Sequence, residues 1–171
     1  QVAEVRNGSG QTERLFVHGL QYVDEPILMA VNADPAAGRS CLDPCDPKYI
    51  YHQDVNYNVI GLTMVERDPN TMPHLLEKYD YDPYGLMQAF RVEDPQDSLQ
   101  SGAYSRSDAA IPRSLAGNPL AFTGQWLDDE TGLYYYRARH WHPGPGRVFH
   151  RGGTGRPGEA DDRRGLAWTN R

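Results

Sequence analysis

Cysteine is nearly absent from this 171-residue chain, which holds only Cys41 and Cys45, in Cys-Leu-Asp-Pro-Cys. One pair cannot staple a domain of this size. A structural zinc site would need two further ligands at suitable spacing, and none lies nearby. The pair reads as a local disulfide or as two free thiols. Long hydrophobic runs are also missing: nothing approaches the roughly 18 apolar residues of a membrane-crossing helix, so no membrane span is expected. Strong positive charge is absent too. Seventeen Lys and Arg stand against 23 Asp and Glu, a net of -6, so general nucleic-acid binding is not expected. No Gly-rich phosphate loop, Gly-x-Ser-x-Gly elbow or Cys/His catalytic pair occurs. The chain opens on Gln1 with no signal-peptide pattern and reads as an internal piece of a longer protein.

What the chain does have is Gly (17), Pro (13) and Tyr, which supplies 11 of the 18 aromatics. Gly and Pro break helix interiors, and Tyr favours half-buried strands. The expected fold is mainly β, built of antiparallel hairpins. Arg14 to Val31 reads as successive strands broken at Gly19 and Pro26. Further strands are expected over Tyr49 to His52, Val59 to Val65, Leu75 to Tyr81 and Leu86 to Phe90. Asp82-Pro83-Tyr84-Gly85 suits a type I turn, with Asp first, Pro pre-set second and Gly last. Residues 1–90 therefore form one run of hairpins, 91–118 read as a polar surface loop, and 119–151 form a second hairpin region. In that region Leu133 to Trp141 is read as one continuous strand. Its alternation puts Leu133, Tyr135, Arg137, Arg139 and Trp141 on one face, and Tyr134, Tyr136, Ala138 and His140 on the other. Residues 152–171 change to Gly, Arg and Asp with almost no apolar period, and a disordered tail is expected there. Charge follows the same division. Residues 137–171 carry eight Arg against three acids, whereas residues 1–136 carry nine basic and 20 acidic residues.

Several segments resemble a known family. Glu77-Lys78-Tyr79-Asp80-Tyr81-Asp82-Pro83-Tyr84-Gly85 resembles the Tyr-Asp (YD) repeat of RHS-type proteins. Asn118-Pro119-Leu120-Ala121-Phe122-Thr123-Gly124, continuing through Leu133-Tyr134-Tyr135-Tyr136-Arg137-Ala138-Arg139, resembles the RHS repeat-associated core. Tyr51 to Asp54 and Asn58 to Leu62 resemble the hairpin that precedes them. The resemblance spans roughly Arg14 to Arg151. It implies a ribbon of hairpins spiralling into a hollow β-shell that encloses or presents a toxin-like C-terminal polypeptide in a secreted or cell-surface protein. The implied partners are the rest of that shell and the enclosed domain. Hairpins too small to bury a face alone must stack on neighbours, and unpaired edges invite pairing with other chains.

Two departures stand out. His140-Trp141-His142-Pro143 replaces the Tyr-Tyr-Asp-Pro that usually follows Arg-Ala-Arg. Arg151 is followed by Gly152 where the family continues with Asp-Pro-x-Gly, so the end reads as a divergent tail or as an unrelated reading frame. Self-cleavage of aspartyl-protease type in such shells needs paired carboxylates. The only downstream aspartates, Asp161 and Asp162, lie outside the family motif, so autoproteolysis and enzyme activity are not expected.

Other constellations are weaker. A second reading is a carbohydrate-binding or adhesion module in which Trp126 and Trp141 stack on surface glycans. His140 and His142 at i, i+2 share a strand face and His150 falls near them on the return strand, which permits a zinc or copper site or plain aromatic packing. No metal or other cofactor is expected. The acidic runs Asp43 to Asp46, Asp80 to Asp82 and Asp128 to Glu130 lack the ligand alternation of a calcium loop and read as turn formers.

Overall fold

The computed structural model describes residues 2–38, 46–65, 73–92 and 109–150. The Cys41 and Cys45 pair, Asp161, Asp162 and the expected disordered tail lie outside the described residues.

The fold is mainly β, as two antiparallel sheets. The larger contains β1 (Glu4–Arg6), β2 (Thr12–His18), β3 (Pro26–Val31), β4 (Lys48–Gln53), β5 (Val59–Val65), β6 (His74–Tyr81), β7 (Met87–Arg91) and β8 (Ala109–Ile111). The smaller contains β9 (Trp126–Asp128), β10 (Leu133–Tyr136), β11 (Arg139–His142) and β12 (Arg147–His150). In both sheets the spatial order equals the chain order. Within each sheet every strand pairs with its sequence neighbours, which is the local pairing that short connections favour.

Alternation along the strands sorts residues onto two faces of the large sheet. Cross-strand partners Phe16, Met29 and Tyr49 continue the inner face, joined by Tyr51, Leu62 and Glu77 and then by Tyr79 and Ala89. Most of these side chains belong to one buried cluster, closed from above by Ala116, Leu120 and Trp126. Val17, Leu28, Ile50 and Thr63 line up across the opposite face. There Val17 and Ile50 are exposed. A β-bulge between His52 and Gln53 turns Val59 inward and leaves Ile60 outside.

Two sequence expectations are corrected. Leu133 to Trp141 is not one strand. Arg137 takes a left-handed φ of 58° and the chain reverses there, so β10 and β11 form a hairpin with a two-residue loop. The register pairs Tyr134 with Trp141, Tyr135 with His140 and Tyr136 with Arg139. The expected faces are therefore exchanged: Trp141 shares its face with Tyr134 and Tyr136, not with Leu133 and Tyr135. Nor is all of 91–118 a surface loop. Residues 109–111 form β8 on the edge of β7, and Ala116 and Asn118 are buried. Their polar composition hid this because the buried groups there bind side chains of the sheet instead of supplying oily area.

Candidate functional site

The inner face carries a polar network built on tyrosine. Glu77 is fully buried on β6. One of its carboxylate oxygens accepts the Tyr79 hydroxyl, and the other accepts the Ala116 N–H at 2.9 Å. Tyr79 also lies 3.3 Å from the Ser114 hydroxyl. Asn118 Oδ1 accepts from the Tyr51 hydroxyl at 2.8 Å and from the Leu120 N–H at 2.9 Å. Its Nδ2 donates to the Leu120 carbonyl at 2.7 Å. This network fastens residues 114–120 to the sheet, and it satisfies groups whose burial unpaired would be costly.

Burial holds these hydroxyls protonated. Desolvation pushes Tyr51, Tyr79, Tyr81 and Tyr134 well above the ordinary tyrosine range, and the Glu77 carboxylate adds to the effect at Tyr79. Tyr49 and Tyr136 are raised by the same cause. Tyr81 donates to the Val59 carbonyl at 2.6 Å and Tyr134 to the Gly85 carbonyl at 2.8 Å. These rings brace one strand or turn against another.

The small sheet docks at the sheet end where the turns 19–25, 54–58 and 82–86 gather. The 82–86 turn forms as expected: Asp82 Oδ1 accepts the N–H groups of Tyr84 and Leu86, and Gly85 sits at φ 89°. A side chain at Gly85 would strike the Phe122 ring, 2.6 Å away. Phe122 lies between Tyr81 and Tyr134, at ring separations of 5.7 and 6.1 Å. Thr123 takes φ 50°, which a β-branched residue rarely adopts. Its N–H donates to Asn58 Oδ1 at 2.9 Å, and its hydroxyl meets that of Tyr136 at 2.6 Å. Asp24 completes the seam. It accepts from Gln125 Nε2 at 2.6 Å and pairs with Arg137 at 3.1 Å.

Trp126 and Trp141 are not brought together. Trp126 shares a cross-strand row with Tyr135 and His140, whereas Trp141 shares the next row with Tyr134 and Leu127. Adjacent rows project to opposite faces. Trp126 meets Phe16 edge-on at 5.9 Å beside the core, and Trp141 Nε1 donates to the Tyr84 carbonyl at 2.8 Å. His140 and His142 do share a face, but His150 pairs opposite Arg139 and not opposite His140. The His140 ring contacts Tyr135, and the His142 ring contacts Phe149 while accepting the Gly144 N–H. Among the described residues no three His, Cys, Asp or Glu side chains converge as metal ligands.

A broad trough of about 1110 Å³ runs over β4, β5 and β6, lined in part by His52, Asp54, Asn58, Thr63 and Lys78. His52, exposed at the trough, bonds to the Thr63 hydroxyl at 2.7 Å, and partial desolvation lowers its pKa. Asp54 is spent on its own turn, accepting from the Asn56 and Asn58 backbone and from Asn58 Nδ2. Asp128 likewise accepts the Glu130 N–H, in keeping with the turn-forming role expected of these acids.

Glu77, Asn118, Asp24 and Gln125 were missed by sequence reasoning. Asn118 preceding a Pro and an apolar run was the available signal for one of them. The other three sit in ordinary local contexts and gain meaning only through partners far along the chain. Comparison with protein-family models and with curated proteins gives no match. Among the described residues no helix is long and apolar enough to cross a membrane.

Proposed function

We propose that this chain is a wall segment of an RHS/YD-type β-shell. In this reading it belongs to a secreted or surface-attached protein and helps enclose or present a C-terminal polypeptide. The observation that carries the reading is the strictly sequential strand order combined with the use of tyrosine hydroxyls as internal braces. A ribbon that adds each strand to the one before can be extended at either end without rearrangement. Among the described residues β1 and β8 are the outermost strands of the sheet, the positions at which further strands would add. Glu77, Asp54, Asp82 and the buried tyrosine hydroxyls are committed to turns and braces, which supports a role in shape. The glycan-stacking alternative loses a shared platform, because Trp126 and Trp141 occupy opposite faces.

The test uses the chain expressed within its flanking reading frame. Limited proteolysis should leave any C-terminal polypeptide intact until the β-rich part is cut. Digestion of that polypeptide at the same rate with and without the wall would overturn the reading. So would flanking sequence without further hairpins of this kind.

A further inference from the structure

Against the small sheet, beside Phe122, lies a cavity of about 350 Å³, lined by Phe122, Tyr136, Arg139, His140, Trp141 and Val148. This size lies at the small end of ligand sites. Its walls are fixed from behind. The Tyr136 hydroxyl is engaged by Thr123, and the Trp141 indole N–H by the Tyr84 carbonyl, so both rings present apolar faces. Arg139 differs. It is exposed on β11 directly across from Tyr136, and its guanidinium has no hydrogen-bond or ion-pair partner among the described residues.

We propose that this cavity binds a small aromatic monocarboxylate, with its ring among Phe122, Tyr136 and Trp141 and its carboxylate on Arg139. Three aromatic walls suit a flat ring, by stacked or edge contacts. The guanidinium fork matches a carboxylate with two parallel hydrogen bonds and repels a cation that the aromatic faces alone would attract. The same chemistry could arrive as a free molecule or as the end of a polypeptide finishing in an aromatic residue.

The test titrates the full chain with phenylacetate, following the Trp141 indole N–H by NMR; Trp141→Phe assigns the signal. Phenylacetate should shift that signal. Phenylacetamide, phenethylammonium and the Arg139→Gln variant should each bind about tenfold more weakly or worse. Val148→Trp, which fills the space while keeping Arg139, should also abolish the shift, and unchanged near-UV circular dichroism shows that each variant is folded. A peptide ending in a free Phe carboxylate separates the sources: tighter binding than phenylacetate indicates a polypeptide end, and weaker binding a free molecule. No shift at millimolar phenylacetate, equal binding to Arg139→Gln, or equal binding of phenethylammonium overturns the proposal.

Discussion

Raising the pH should unfold this protein cooperatively, because its core is braced by phenols that must stay protonated. Tyr51, Tyr79, Tyr81 and Tyr134 are buried, and desolvation raises all four well above the ordinary range. Once unfolded, each ionises near pH 10. The unfolded chain then binds fewer protons than the folded one, so the stability these groups confer is complete below pH 10 and is lost as the pH rises further. At pH 11 each costs about 1.4 kcal/mol, or about 6 kcal/mol for the four together. That rivals the roughly 5–15 kcal/mol total stability of a typical domain. Phenolate absorbance near 295 nm and near-UV circular dichroism, recorded together, follow the process. The absorbance of the buried tyrosines should appear in one steep step that coincides with loss of the dichroism. A smooth titration of all 11 tyrosines around pH 10, with the dichroism retained, would refute the reasoning.

Asn118→Ala should be far more damaging than Tyr51→Phe. It strips both Leu120 backbone groups of this partner and leaves the Tyr51 hydroxyl only the weak Met29 sulfur, at about 3 kcal/mol against about 1 kcal/mol for loss of the hydroxyl alone. Urea unfolding measures both, and equal costs would contradict the network. Gly124→Ala should cost about 2–4 kcal/mol. Gly124 stands at φ 67°, and its new Cβ would collide with the Asp24 carbonyl oxygen; a melting temperature within one degree of wild type would show that this loop yields freely. Arg137→Ala should cost less than about 1 kcal/mol, because the guanidinium facing Asp24 is largely exposed. On the acid side, partial desolvation of the otherwise exposed His52 ring depresses its pKa, so the stability it permits is complete above about pH 6.5 and falls as the pH drops through its lower folded value. His52→Gln should flatten that decline, and an unchanged profile would remove His52 as its cause.

The strands of the large sheet were readable because their apolar runs are short, tyrosine-rich and punctuated by Pro, Gly and Asp at turns. The 82–86 turn was legible down to its residue roles, since Asp, Pro and Gly each have a distinct local reason to sit where they do. The β10–β11 reversal was not. Arg137-Ala138 carries no Gly or Asn to advertise a left-handed residue, and Tyr134 to His142 alternates convincingly as one strand. The inner network was illegible for another reason. Glu77 sits in a polar-looking heptapeptide, and its partners Tyr79 and Ala116 are joined to it only by the fold. Trp126 and Trp141 drew attention as large exposed-type aromatics, yet one meets Phe16 beside the core and the other is bonded to a turn. Side-chain type alone could not separate bracing from binding.

The central claim is that this ribbon is made to be continued by neighbouring strands. Amide hydrogen exchange on β1 (Glu4–Arg6) and β8 (Ala109–Ile111), compared between the isolated chain and the chain within its flanking sequence, tests it most directly. Slow exchange at these edge amides in the longer protein, with fast exchange in the isolated chain, is the expected result; equally fast exchange in both would contradict the account.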